Sequence, residues 1–135
     1  MAITPITKKQ ILYSDFGRDM VLNPVSSDVS RKTNEEAIKE SIRNLILTNR
    51  GERLFQPFIG SDILASFFEN IDIDSLEEIK SAIQDTIEIY EPRCNLISVD
   101  VFANYDSNTI VATIVFNVIN RIEPVTLEVI LDRIR

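Results

Sequence analysis

At 135 residues with 44% apolar and 26% charged side chains, the chain has the length and balance of one globular domain, able to bury about two thirds of its unfolded surface. A net charge of −7 disfavours nucleic acid as a partner, and the sequence holds no apolar run near the roughly 18 residues a membrane span needs. Histidine is absent, which removes the commonest general base and zinc ligand, so neither a metal nor a cofactor is expected.

Residues 1–32 mix short apolar patches, ILY and MVL, with the turn formers Asp15, Gly17, Asn23 and Pro24. They read as an extended N-terminal arm with room for one short hairpin, followed by a single α+β domain over 33–135. The sequence TNEE reads as a capping box, Thr33 at the N-cap and Glu36 at N3, with Ala37, Ile38, Ile42, Leu45 and Ile46 on one helix face. This helix is expected to end near Asn49, with Gly51 as its stop.

RGERLFQPFIGS follows, too rich in breakers for a helix or a regular strand, yet carrying Leu54, Phe55, Phe58 and Ile59. A solvated linker would not hold two phenylalanines, so this loop is expected to pack into the core or be held by a partner. DILASFFEN reads as a short helix. A second capping box, SLEE, places Ser75 at the N-cap of the longest helix, with Leu76, Ile79, Ala82, Ile83, Ile87 and Tyr90 at helical spacing. Pro92 ends it, since proline disfavours the α conformation at Glu91 and has no N–H.

The hydrophobic period then changes from 3.6 to 2. Ile97, Val99, Val101 and Ala103 form one face of a first strand; Ile110, Ala112, Ile114, Phe116 and Val118 that of a second; Val125, Leu127, Val129 and Leu131 that of a third. YDSN and NRIEP connect them. Three helices on a small antiparallel β-meander is the expected fold. Such a sheet has two edges near its centre, and the last strand is the candidate for pairing with another chain, unless the charges of its DRIR ending blunt it. The single cysteine, Cys94, cannot form an internal disulfide and is expected to be buried in a soluble chain kept in a reducing compartment.

Two carboxylates are the catalytic pair left without histidine. Glu91 as the acid, with Glu88 or Glu52 as the second group roughly 5 to 9.5 Å away, would make a glycoside hydrolase. Among 21 acidic residues some such pair is inevitable, and no tryptophan-rich sugar platform accompanies it. Glu91 and Arg93, flanking Pro92, read instead as a local ion pair or as a fork that docks on a partner. If they dock, Arg93→Ala should leave the isolated domain folded.

The ordered set of the early helix, RGER with Phe55, Pro57 and Gly60 after it, LASFFEN, a long helix ending in YEPR, and a strand meander resembles the small baseplate wedge proteins of contractile-tail phages, the sheath initiators, which have a counterpart in the type VI secretion baseplate. The resemblance spans roughly residues 11–132. Leu54 departs from it, standing where many relatives have proline. It implies a non-enzymatic structural subunit of the virion tail baseplate, assembled in the host cytoplasm. Its partners would be baseplate wedge subunits and tail sheath subunits, with tail tube proteins as further candidates. Glu91, Pro92 and Arg93 are implied to bind the wedge core bundle. The loop of Gly51, Glu52, Arg53, Phe55, Pro57 and Gly60 is implied to lie at subunit contacts. The strand of Val125, Leu127, Val129 and Leu131 is implied to template the first sheath ring by pairing with sheath arms. Some members carry an older lysozyme label, which keeps peptidoglycan hydrolysis as the alternative.

Overall fold

A computed structural model describes residues 10–66 and 72–132. Two short strands, β1 (Ser14–Phe16) and β2 (Arg31–Thr33), pair antiparallel and precede α1 (Glu35–Leu47). Next come a one-turn helix α2 (Ile63–Ser66) and the long α3 (Ile73–Tyr90). The chain finishes in β3 (Cys94–Asn104), β4 (Thr109–Val118) and β5 (Pro124–Asp132), an antiparallel meander in the order β3-β4-β5. Helix, helix and sheet thus meet as the α+β expectation has them. The second half of LASFFEN lies outside the described residues.

One core joins the layers. Ile38, Ile42 and Ile46 of α1, Ile79, Ile83 and Ile87 of α3, and Ile110, Ala112, Ile114, Phe116 and Val118 of β4 are all buried. Burial contributes about 1.5 to 3 kcal/mol for each of the large ones. Leu127, Val129 and Leu131 of β5 belong to the same cluster, and Val125 packs against it. The side chains of the strand expected to pair with a partner therefore point into this chain's own core, so any pairing at β5 must be made by its backbone.

Four sequence-based expectations need correction. Thr33 does not cap α1; it closes β2, and Asn34 takes the cap position at φ 51°, a conformation asparagine tolerates better than most residues. The Asn34 side chain serves the arm instead: its Oδ1 accepts the Leu12 and Tyr13 N–H groups at 2.8 and 3.3 Å, and its Nδ2 donates to the Gln10 carbonyl at 3.1 Å. Likewise Ser75 lies inside α3, which opens after Asp72. α1 stops at Leu47, before Asn49, so Gly51 sits beyond it in a turn at φ +85°.

The remaining correction is in β3, where Ile97 leaves the core face. Leu96 pairs with Phe116 but Ser98 pairs with Val115, so Ile97 and Ser98 together oppose one residue, a β-bulge. The bulge lets Cys94 and Leu96 before it and Val99 and Val101 after it share the inner face.

The loop between α1 and α2 is anchored at its base. The Ser61 N–H donates to the Thr48 carbonyl at 2.8 Å, its hydroxyl to the Ile46 carbonyl at 2.6 Å, and the Gly51 N–H to the Pro57 carbonyl at 2.7 Å. Gly60 is at φ +140°, and a Cβ there would lie 2.5 Å from the Thr48 carbonyl oxygen. Gly60→Ala is expected to lose about 1 to 3 kcal/mol, read from the denaturant midpoint, because a strained backbone meets a backbone atom that cannot yield.

Candidate interaction site

Pro92 forces Glu91 out of the helix, at φ −122° and ψ 77°, while the Glu91 N–H still donates to the Ile87 carbonyl at 2.9 Å. This exit turns the Glu91 side chain beneath the start of β3, where Arg93 meets it. The guanidinium grips the carboxylate with both arms: Nε donates to Oε1 at 2.6 Å and Nη2 to Oε2 at 2.7 Å. The Glu91 side chain is 2% exposed and the Arg93 side chain 31%. The ion-pair reading of EPR is therefore realised within the chain, and the splayed arrangement that would leave both charges free for a partner is not.

Two residues outside the motif complete the cluster. The Ser41 hydroxyl of α1 donates to the Glu91 carboxylate, and the ring of Tyr13, just before β1, lies 5.6 Å beneath the Arg93 guanidinium carbon, within cation–π range. The Arg93 carbonyl accepts the Ile119 N–H at 3.0 Å, closing the end of β4 onto the same point. Neither Ser41 nor Tyr13 could be found from spacing, because both reach the cluster only through the tertiary fold.

Burial by itself would raise the Glu91 pKa, but the hydrogen bonds and charge of Arg93, with Ser41, outweigh it and leave the value below that of an ordinary carboxylate. Glu91 in turn raises the Arg93 pKa, against the cost of its desolvation. The Cys94 thiol, donating to the Glu91 carbonyl at 3.6 Å, is pushed up to about 11, first by burial and then by the Glu91 charge. A general acid needs a raised pKa, so Glu91 is placed wrongly for one.

The candidate second carboxylates do not assemble a cleft around it. Glu52 accepts the Asn49 N–H at 2.9 Å in the α1–α2 loop, and Glu88 is exposed on α3. An open groove of about 460 Å³ runs along α3 between Arg50, Asp62, Glu77 and Asp85, and none of the three proposed carboxylates lines it. Among the described residues no group of acidic or sulfur side chains is arranged to hold a metal ion.

The loop residues split into two sets. Gly60 is buried at the anchored base; Gly51, Glu52, Arg53 and Pro57 are exposed around the tip, where Phe55 is 97% exposed and Leu54 and Phe58 are nearly as open. Leu54, Phe55 and Phe58 thus do not join the core. Tyr90 holds the tip in place, its hydroxyl donating to the Phe58 carbonyl at 2.6 Å.

Removing Arg93 is expected to destabilise the domain by about 3 to 5 kcal/mol at neutral pH, because a buried carboxylate loses its partner. The buried carboxylate thus adds a stability cost to the folded Arg93→Ala domain expected from the sequence. The sign with pH follows: in the wild type the lowered Glu91 pKa contributes stability above the unfolded value of about 4.3, lost as pH falls through the lower folded value. In Arg93→Ala burial dominates and the folded pKa rises, so the stability gap between the two proteins should narrow as pH falls. Denaturant titrations from neutral pH into acid check this; a gap independent of pH would mean the pair contributes little.

Known proteins share this architecture. The profile of the family described as baseplate wedge protein gp25 matches residues 32–123. The baseplate wedge protein gp25 of Enterobacteria phage T4 is 34% identical over 109 residues, covering 81% of this chain and 82% of that one. A Geobacter sulfurreducens protein bearing the name tail lysozyme superposes with a TM-score of 0.70 at 27% identity, over 75% of this chain and 92% of its own. A chain of the anti-feeding prophage baseplate also gives 0.70 at 26%, over 81% of this chain and 87% of its own. One from the type VI secretion baseplate, at 15% identity and a TM-score of 0.58 over 67% of this chain and 86% of its own, shares the fold. By its matched profile and its identity to the phage T4 protein, the chain belongs to the gp25 family of baseplate wedge proteins, structural components of contractile tails.

Proposed function

We propose that this wedge protein joins its wedge to the tail sheath and templates the first sheath ring, with the free edge of β5 accepting an extended sheath segment. The observation that carries the reading is the strand order β3-β4-β5: β5 pairs with β4 along its length and, among the described residues, no strand pairs with its other side. An unpaired strand edge offers alternating N–H and C=O groups, a template for a strand from another chain. With Val125, Leu127, Val129 and Leu131 committed to the core, β5 is fixed in register while its backbone can serve a partner.

In this proposal the contacts with neighbouring wedge subunits are made by the loop tip around Gly51–Gly60 and by the solvent side of Pro92 and Arg93. Phe55 and Leu54, presented on an anchored loop, support the first. About a third of the Arg93 side chain stays in solvent even while it is bound to Glu91, which supports the second. Glu91 acts by fixing Arg93 rather than by touching the partner. Peptidoglycan hydrolysis, suggested by the name of the Geobacter relative, is disfavoured by an ion-paired Glu91 with a lowered pKa.

Proline placed in turn at residues 126–130 separates the edge from the fold. Positions whose N–H points away from β4 should melt like the wild type yet lose capture of the tail sheath subunit in a pull-down. Full capture by all such variants would overturn strand pairing at β5. Phe55→Ser should change stability by less than about 0.5 kcal/mol, since the ring touches little of its own chain, and should lower incorporation into reconstituted wedges. Normal incorporation would remove the loop from the interface.

A further inference from the structure

The helices cover one face of the meander, and the other face is not a polar one. Phe102 of β3, Val111 of β4 and Ile130 of β5 are cross-strand neighbours in a single row, with Phe102 63% and Ile130 59% exposed. Two rows away the bulge sets the exposed Ile97 beside Ser98, opposite Val115. Val115 has Thr126 as its neighbour on β5, and between these two rows runs a third, Asp100–Thr113–Glu128, while Asp132 lies beyond Ile130. Among the described residues of this face there are acidic side chains and no basic one.

We propose that this outer sheet face is a docking site for a basic amphipathic helix of a neighbouring protein. The dimensions fit one helix. The three strands span about 10 Å from β3 to β5, close to the diameter of a helix with its side chains. Val111 and Val115 are four residues apart on β4, about 13 Å, which a helix along the strands covers in about eight residues. An apolar residue at each end of that span would rest on the two apolar rows, and a lysine or arginine about four residues from each would face Asp100 and Glu128. The charges favour such a helix over a second copy of this chain, whose net charge is −7. The face is separate from the β5 edge and does not depend on sheath pairing.

The probe is a stapled helical peptide of about 16 residues, long enough to hold a helix, with leucines eight apart and arginine midway. Its counterpart carries glutamate for arginine. Titrated into the labelled full chain, the arginine peptide is expected to shift amide resonances around Phe102, Val111, Val115 and Ile130. The glutamate peptide should bind at least about tenfold more weakly, and so should the arginine peptide to a Phe102→Ser, Ile130→Thr variant that melts like the wild type. No binding, equal binding of the two peptides, or shifts on another surface would overturn the proposal. Concentration-dependent dimerisation abolished by the same double variant would overturn it too, since a second copy would then occupy the face.

Discussion

The fold depends on one buried ion pair set across a proline. Glu91 and Arg93 are two residues apart, close enough that a bend at Pro92 can bring a carboxylate and a guanidinium into bidentate register, and far enough that the first still ends a helix while the second begins a strand. Around this pair the chain gathers Ser41 from α1, Tyr13 from the N-terminal arm and the Ile119 amide from the end of β4. Replacing such a pair with well-packed apolar groups is often neutral for stability, whereas removing one partner leaves a buried charge uncompensated. The desolvation of Glu91 is offset by the hydrogen bonds and charge of Arg93, with Ser41.

Much of this architecture was legible from periodicity. The inward faces of β4 and β5 followed a period of 2 without interruption, and the α3 stripe followed 3.6, because in each case burial on one side fixes register. Pro92 marked the helix end for a local steric reason that needs no tertiary information. The errors arose where a local signal had a tertiary competitor. Thr33 and Ser75 head capping-box sequences, but β2 claims Thr33 and α3 starts three residues early. Ile97 fits an alternating pattern that the bulge interrupts, and a bulge in β3 has no mark in this sequence such as a glycine. Of the two places the sequence offers Phe55 and Phe58, the core or a partner, the anchored loop excludes the first by holding them out in solvent.

The interaction site was legible as a motif and not as a geometry. EPR with its setting pointed to the wedge family, which the profile match and the phage T4 relative establish. It does not disclose that Glu91 is buried or that Arg93 alone of the pair reaches solvent, since a local ion pair and a docking fork are both open to the sequence. The loop tip, the β5 edge and the outer sheet face, the surfaces proposed to serve assembly, are all carried by elements packed on one core.

Through these contacts the Glu91–Arg93 pair is expected to couple the arm, the helices and the sheet into one cooperative unit. Native-state hydrogen exchange in Arg93→Lys, which keeps the charge but loses the two-armed grip, measures that coupling. Protection of the Asn34, Glu91 and Ile119 amides, which donate to the Tyr13, Ile87 and Arg93 carbonyls in three different parts of the chain, should fall together and by the same factor. Loss confined to Ile119, with Asn34 and Glu91 as protected as in the wild type, would contradict it.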